Sequence, residues 1–464
     1  MSEKSYWLKS GFFSLFERGS VFLFGLGSFL FLANGLDKAD WGTWVIFLVT
    51  TSFIEVGRSG LLQNALVKYL TTCEQEEYGV ITTASLFTNV VLTALSILLL
   101  FAIAEPLALW QDAPILATLV RIYAITTVVL IPLQQFNFIQ QGNLDFKGIF
   151  WSNFTKQGLF FFFIAITFLS GNMLTLVDLA KAQIGCAVAG AIVSFAFAKR
   201  YLQFSRTLDF AWVKKLFSFG KYVFGTNLSA MLYKSIDKYM LGYLVGPAFT
   251  GAYENAVRVT NLAEVPTFSI AQIVFPQGAK KIKSEGKPAL KALYEKSVGA
   301  IFAIILPFII FVFLFPDFII NTIAPKWTET IPVLRLTILY GLFLPFAIQF
   351  GTVLDAMGRP KINFYFTILG AGLNIIFNYL FISKYGLIGA AYGTLTTYSI
   401  TFLLNQIVLY RVLKVKAWNV FGYMFRFYTN GIQLARDFIR TGEASTEKIL
   451  DAGLPIGSTK KNKQ

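Results

Sequence analysis

Single basic residues inside long apolar stretches are the part of this chain that could do chemistry. Arg18, Arg58, Lys156 and Arg258 each interrupt such a stretch, and Lys234 lies near the end of another. An ionisable side chain at the bilayer centre costs at least ~2.5–3.5 kcal/mol, so it tends to face a bundle interior or an aqueous cavity. These cations predict a cavity that binds an anion. Arginine suits phosphate, because its planar guanidinium donates two parallel hydrogen bonds and stays charged.

Acidic residues accompany some of these cations. Glu55 precedes Arg58 by three residues and Glu254 precedes Arg258 by four, so each pair shares one face of a helix. A local salt bridge is therefore an alternative to a ligand role for both arginines. Together with Glu264, these acids are candidates for coupling an ion to transport or for balancing the charge of the cavity, and balancing is the favoured interpretation.

For the other three cations, the alternatives to a ligand role differ. Arg18 lies near the middle of its apolar stretch, and an ion pair with an acid on a neighbouring helix competes with a ligand role. Lys156 has no acid within one helical turn, which favours the cavity. Lys234 lies close enough to a membrane surface for its side chain to reach the interface instead.

Composition places the chain in a membrane. Of its 464 residues, 55% are hydrophobic and only 14% are charged, against roughly 25% in soluble domains. Histidine is absent and there are two cysteines, Cys73 and Cys186, so we expect no metal site, no disulfide framework and no cofactor. The net charge of +15 favours cytoplasmic loops on anionic lipid over a nucleic-acid partner.

The charged candidate residues are held by apolar segments that are long enough to cross the membrane. About 20 residues span the hydrocarbon core. By this measure the sequence predicts an all-α polytopic protein of twelve transmembrane helices, with Pro132, Pro266 and Pro345 tolerated inside them. The predicted spans are 9–34, 41–69, 79–103, 114–141, 147–169, 174–198, 215–240, 247–277, 292–315, 330–354, 360–383 and 386–412.

The loops between these spans predict the orientation of the chain. Lysine and arginine concentrate in the loops after the sixth and eighth spans, which places both termini in the cytoplasm. No cleavable signal segment precedes the first span, so it is expected to be retained. There is no Gly-rich phosphate loop, so ATP hydrolysis is not expected.

The two halves of the sequence are also similar to each other. A gap-free shift of 209 residues aligns Gly42 with Gly251 and Glu55 with Glu264, which suggests a six-helix repeat of the kind found in alternating-access transporters. The predicted domains are an N-terminal six-helix lobe (1–198), a cytoplasmic amphipathic linker (199–214), a C-terminal six-helix lobe (215–413), and a cytoplasmic amphipathic segment with a disordered tail (414–464).

Short motifs in order along the chain resemble the polysaccharide transporter family (Wzx-like oligosaccharide and O-antigen flippases) of the multidrug/oligosaccharidyl-lipid/polysaccharide (MOP) exporter superfamily. Together they cover most of the predicted membrane portion. The motifs are Asp40-Trp-Gly42, Asp237-Lys-Tyr-Met-Leu-Gly242 with Gly251-Ala-Tyr253, Leu354-Asp-Ala-Met-Gly358, Asn374-Ile-Ile-Phe-Asn-Tyr379, Tyr385-Gly386 and Gly389-Ala-Ala391.

The resemblance implies a V-shaped bundle of two lobes, similar to multidrug exporters of the MATE type. It implies a flippase that moves undecaprenyl-diphosphate-linked oligosaccharide across the inner membrane of a bacterium. Lipid II flippases of the superfamily have cavity arginines in their first, second and eighth spans, and Arg18, Arg58 and Arg258 occupy comparable places. Lipid II flippases have two more spans than the twelve predicted here, and this difference argues against lipid II as the substrate.

Further expectations follow from the same resemblance. Transport would be coupled to Na⁺, H⁺ or the membrane potential, and the partners would be membrane lipids and polysaccharide polymerase and chain-length regulator proteins. One chain with two lobes suffices for a cavity, so we expect a monomer. The alternatives are an ion-coupled multidrug exporter and a polytopic glycan polymerase or ligase. The short outer loops argue against an enzyme.

Overall fold

The computed structural model describes the backbone of residues 3–441 and the side chains of residues 16–430 except 18, 222, 223 and 226. Every regular element in this range is helical. The tail of residues 442–464, predicted to be disordered, lies outside it. The helices are α1 (Glu3–Gly35), α2 (Lys38–Leu70), α3 (Gln75–Trp110), α4 (Ile115–Gly142), α5 (Phe146–Leu169), α6 (Leu176–Ala198), α7 (Phe210–Leu244), α8 (Pro247–Thr260), α9 (Glu264–Ser284), α10 (Gly286–Leu314), α11 (Pro316–Ile323), α12 (Thr330–Tyr340), α13 (Leu344–Ala356), α14 (Pro360–Tyr385), α15 (Leu387–Leu413) and α16 (Ala417–Thr441).

Helices occupy all the predicted spans. Among the described residues, nine helical segments are long and apolar enough to cross a membrane: α2 to α6, α10, α12 with α13, α14 and α15. The protein is therefore a multi-pass membrane protein. The remaining predicted spans fall on α1, α7 and α8–α9, which are helical but carry Arg18, Lys234 and Arg258. The total of twelve transmembrane helices stays a prediction.

Two predicted spans are interrupted, and proline accounts for both interruptions. The eighth span is divided by the 3₁₀ turn Asn261–Ala263, and the tenth by residues 341–343. Pro266 and Pro345 follow these breaks and lie in the first turns of α9 and α13. A proline there needs no N–H, whereas in a continuous helix it would remove a hydrogen bond and clash with the preceding turn. Both prolines fall within predicted spans, and each lies just after a break in the helix of its span.

The first compact unit comprises residues 1–251 and contains α1 to α7. Helix α7 packs along α2 and α3. The contact with α2 is close at Gly220, where an added Cβ would lie 1.7 Å from the carbonyl oxygen of Leu61. Tyr239 of α7 also shares a 2.8 Å hydrogen bond with Thr50 of α2. The seventh helix thus belongs to this unit, while the division into two six-helix lobes stays a prediction.

The second unit comprises residues 252–464, of which the structure describes those up to 441, and its two interrupted spans pack together. Thr330 of α12 donates a 3.0 Å hydrogen bond to the carbonyl of Ala252 in α8. Close to the breaks, Thr260 donates to the Thr337 hydroxyl at 3.0 Å. Beyond the breaks, α9 packs against α13. Hydrogen bonds of this kind help membrane helices to associate, because lipid provides no hydrophobic drive between them.

Candidate functional site

Arg58 is the most enclosed of the predicted cations whose side chains the structure describes. Its side chain is only 3% exposed on α2. Nη2 donates a 3.2 Å hydrogen bond to the side-chain oxygen of Asn89 on α3, whereas Nε and Nη1 have no hydrogen-bond partner. Leaving a buried donor unsatisfied costs about 1–3 kcal/mol, and more when the group is charged. The structure therefore holds a guanidinium with unused donors inside the first unit, where it is enclosed by protein.

Glu55 does not form the local salt bridge that its spacing from Arg58 allowed. Instead, Oε1 accepts a 2.7 Å hydrogen bond from the Tyr123 hydroxyl, and Oε2 accepts one of 3.3 Å from the amide of Gln134. Both donors are on α4. Within the described part of the chain, no carboxylate oxygen lies within 4.0 Å of the Arg58 guanidinium, although the charge of Glu55 acts on it over a longer distance. Arg58 thus lacks a contacting counter-ion in this conformation.

Side-chain amides of α4 hold the surrounding helices in place. Gln141 accepts a 2.9 Å hydrogen bond from Gln63 of α2, and Gln135 accepts one of 3.2 Å from Ser85 of α3. Asn137 accepts from two serines: Ser152 of α5 at 3.0 Å and Ser194 of α6 at 2.8 Å. These bonds connect α4 to four helices and fix the frame that holds Asn89, Tyr123 and Gln134.

Arg258 differs from Arg58, because its predicted local partner is present. Nη2 lies 3.1 Å from Oε1 of Glu254, one turn earlier on α8. The Glu254 side chain is 9% exposed and that of Arg258 is 35% exposed. A pair this deeply placed is costly to break, since removing one partner leaves the other charge uncompensated. This direct contact therefore supports the interpretation that Glu254 balances the charge of Arg258.

The remaining predicted residues lie on helices other than α2 and α8. Lys156 is half-buried on α5 and makes no hydrogen bond or ion pair with a described residue. Its Cβ lies where α6 approaches closely through Gly190. Lys234 is exposed on α7. Glu264 is half-buried in the first turn of α9, where a carboxylate interacts favourably with the helix dipole. The side chain of Arg18 lies outside the described residues.

The sequence did not lead us to the hydrogen-bond partners of Arg58 and Glu55. Asn89, Tyr123 and Gln134 were not singled out, although each interrupts an apolar segment. For Asn89 the signal was available, since an amide in an apolar span needs a partner there. For Tyr123 and Gln134, the choice of Glu55 as their partner depends on the packing of α4 on α2.

Comparison with known proteins identifies the family. Residues 31–332 match the family model described as "Polysaccharide biosynthesis protein". The chain belongs to this family. The resemblance to a polysaccharide transporter family, found from the sequence motifs, is thereby confirmed.

Two curated relatives illustrate the range of the polysaccharide biosynthesis family. The "Probable low-salt glycan biosynthesis flippase Agl15" of Haloferax volcanii is 24% identical over 51% of this chain and 51% of its own length. The "Lipopolysaccharide biosynthesis protein WzxC" of Escherichia coli K12 is 22% identical over 85% of this chain and 78% of its own length. The chain spans about half the length of curated relatives such as Agl15.

Solved structures identify the fold. An inward-facing multidrug resistance transporter of the MATE family superposes with a TM-score of 0.73 at 16% identity, covering 86% of this chain and 96% of that one. The lipid II flippase MurJ in an inward closed conformation gives a TM-score of 0.72 at 18% identity, covering 95% and 96%. This chain has the MATE- and MurJ-like fold of the MOP superfamily.

Proposed function

We propose that this protein is a flippase that moves undecaprenyl-diphosphate-linked oligosaccharide, the repeat unit of O-antigen or another surface polysaccharide, from the cytoplasmic to the outer leaflet. The observation that carries the proposal is the guanidinium of Arg58. It lies within a membrane helix with two nitrogens free of hydrogen bonds, in a family with a relative named as a glycan biosynthesis flippase. A diphosphate offers the charge and the acceptors that this group lacks.

Arg58 is enclosed in the conformation described, so a headgroup reaches it only after α2, α3 or α4 moves. Such an exchange between closed and open arrangements is what alternating access requires. Release of the guanidinium from Asn89 would free a third nitrogen for the ligand. In this proposal Arg18, Lys156, Lys234 and Arg258 add cationic character along the path of the headgroup.

The three acids take different roles in this proposal. Glu254 balances the charge of Arg258, as its 3.1 Å contact supports. Glu55, held by neutral donors on α4, is the stronger candidate for coupling Na⁺ or H⁺ to transport. Glu264 remains a candidate for either role. The protein would act in the inner membrane of a bacterium, with both termini in the cytoplasm, as a monomer that hands its product to a polymerase and chain-length regulator.

The test is translocation in liposomes that contain purified protein and a fluorescent undecaprenyl-diphosphate oligosaccharide. An impermeant quencher added outside reports the fraction of headgroups in each leaflet. We expect protein-dependent exchange that Arg58→Met reduces strongly. The matched control is Arg121→Met, because Arg121 is an exposed residue paired with Glu105 on the outside of the first unit.

Two outcomes would contradict the proposal. Exchange no faster than in empty vesicles would exclude the flippase function, and full exchange by Arg58→Met would remove the role of this arginine. Transport of a cationic dye in the same vesicles, without movement of the oligosaccharide lipid, would favour the multidrug alternative. Repeating the assay with and without Na⁺, a pH gradient or a membrane potential identifies the driving force.

A further inference from the structure

The last helix, α16, packs along α10 rather than standing apart from it. At its start, the backbone N–H of Lys416 and the side-chain amide of Asn419 both donate 3.0 Å hydrogen bonds to the carboxylate of Glu295. Farther along, the Tyr428 hydroxyl donates a 2.7 Å hydrogen bond to the carbonyl of Ala303. The two helices therefore run in the same direction, with increasing residue numbers side by side.

The contact between α10 and α16 is close and continuous. At Gly299, an added Cβ would lie 2.8 Å from the carbonyl oxygen of Val420 and 2.7 Å from Cβ of Tyr423. From Glu295 to Ala303, α10 advances ~12 Å at 1.5 Å per residue. The apolar run of α10 begins at Val298, so this distance leads from the polar start of α10 into its apolar run. Helix α16 follows the same path.

The exposed residues of α16 include three aromatic side chains, together with the polar side chains of Arg426 and Thr429. Trp418 is 82% exposed, Phe421 36% and Phe425 63%, and their spacing places them on one face of the helix. We call these three residues the aromatic stripe. Beside water, so much exposed aromatic surface would be unfavourable, whereas aromatic side chains are enriched where membrane helices meet the lipid interface.

Three exposed cations lie close to the start of α16. Arg411, Lys414 and Lys416 lie at the turn between α15 and α16, and we call them the cationic collar. Lys414 has a left-handed backbone (φ 58°), which ends α15 and lets the chain reverse into α16. The sequence contains no Asp or Glu from residue 356 to residue 436. The collar therefore has no acidic residue in its own part of the chain, and the carboxylate of Glu295, which accepts the hydrogen bond from the backbone of Lys416, is buried.

From this arrangement we propose that α16 enters the membrane beside α10 and that the cationic collar binds an anionic phospholipid. The aromatic stripe contacts the acyl chains, and the collar contacts the phosphate at the headgroup level. This placement is an alternative to the predicted cytoplasmic amphipathic segment. Each basic residue near an anionic lipid surface contributes enough to strengthen binding about fivefold.

The depth of α16 is measured with spin labels in full-length protein in lipid nanodiscs. Starting from Cys73→Ser/Cys186→Ser, labels are attached at Trp418→Cys, Phe421→Cys and Phe425→Cys, and their accessibility to oxygen and to a water-soluble nickel complex is compared. We expect depth to increase in the order Trp418, Phe421, Phe425. Equal depth at the three positions, or full exposure to water at all of them, would overturn the proposed placement.

The lipid is tested by native mass spectrometry of protein from nanodiscs of phosphatidylglycerol and phosphatidylcholine. We expect selective retention of phosphatidylglycerol, lost in Arg411→Gln/Lys414→Gln/Lys416→Gln with about a fivefold weakening for each charge removed. The control Lys280→Gln/Lys283→Gln/Lys287→Gln makes the same change of charge on exposed lysines elsewhere in the second unit. Equal loss in both variants, or no preference for phosphatidylglycerol, would overturn the binding site.

Discussion

Replacing Arg58 by methionine separates a functional from a structural role for this residue. Methionine is close in length but carries no charge. The substitution removes two buried nitrogens without partners, each worth about 1–3 kcal/mol of unfavourable burial. It also removes the bond to Asn89 and leaves that amide oxygen without its donor, which costs about 1–3 kcal/mol. The longer-range attraction between Arg58 and Glu55 is also lost, but Glu55 keeps its hydrogen bonds to Tyr123 and Gln134. The favourable changes equal or exceed these unfavourable ones. We therefore expect Arg58→Met to be at least as stable as the unmodified protein, while it transports poorly.

The matched variant Arg258→Met has the opposite expectation for stability. It removes Arg258 from its ion pair with the carboxylate of Glu254, and losing one partner of a buried pair typically destabilises by about 3–5 kcal/mol. Because Arg258 is 35% exposed, we expect about 3 kcal/mol or less. The double variant Glu254→Gln/Arg258→Met removes both charges and should recover most of this loss.

Thermal unfolding followed by intrinsic fluorescence in detergent, together with liposome transport, measures both properties. The expected order of melting temperature is Arg58→Met at or above the unmodified protein and Arg258→Met below it. The reasoning would be refuted by an Arg58→Met protein that melts several degrees lower yet transports normally per folded molecule. In that case the guanidinium would serve the packing of α2, α3 and α4.

Three further predictions concern the orientation of the chain, the pH dependence of thiol labelling and the packing of α7. In a Cys186→Ser variant, an impermeant maleimide should label Cys73 only when the cytoplasmic side is accessible; labelling of intact cells would contradict the predicted orientation. Burial raises the pKa of the Cys73 thiol, so its labelling in opened vesicles should accelerate steadily from pH 7 to pH 9 as the thiolate forms. Gly220→Ala should destabilise the protein by about 1–3 kcal/mol, because its Cβ would overlap the carbonyl oxygen of Leu61. Gly225→Ala, with open space around the added Cβ, should show no such loss of stability. Equal melting temperatures for the two glycine variants would argue against this contact between α2 and α7.

The positions of the helices could be predicted because membrane crossing requires a minimum apolar length, and that length is read directly from the sequence. The breaks could not be predicted from proline alone. Pro132 lies inside the continuous helix α4, whereas Pro266 and Pro345 follow interruptions. The difference depends on whether neighbouring helices satisfy the backbone groups that proline leaves free, which is a property of the packed unit.

The site could be predicted at the level of charge but not of contacts. Spacing placed Glu55 near Arg58 and Glu254 near Arg258, and both pairs do lie on one helix. Only the second forms an ion pair. For the first, Tyr123 of α4 supplies a competing donor at 2.7 Å. Sequence spacing shows which residues share a helix face, while the preferred partner depends on what the adjacent helix presents.

The attachment of α7 to the first unit has a consequence for biosynthesis. Chains are made from the N-terminus, and compact units tend to fold as they emerge. A nascent chain that stopped at residue 198 would leave α2 without the helix that covers Leu61, and the hydroxyl of Thr50 without Tyr239. The first unit is complete only when the chain has been synthesised to about residue 251. Fragments for separate expression should therefore end after α7, and co-expressed halves divided there should assemble better than halves divided at the predicted linker.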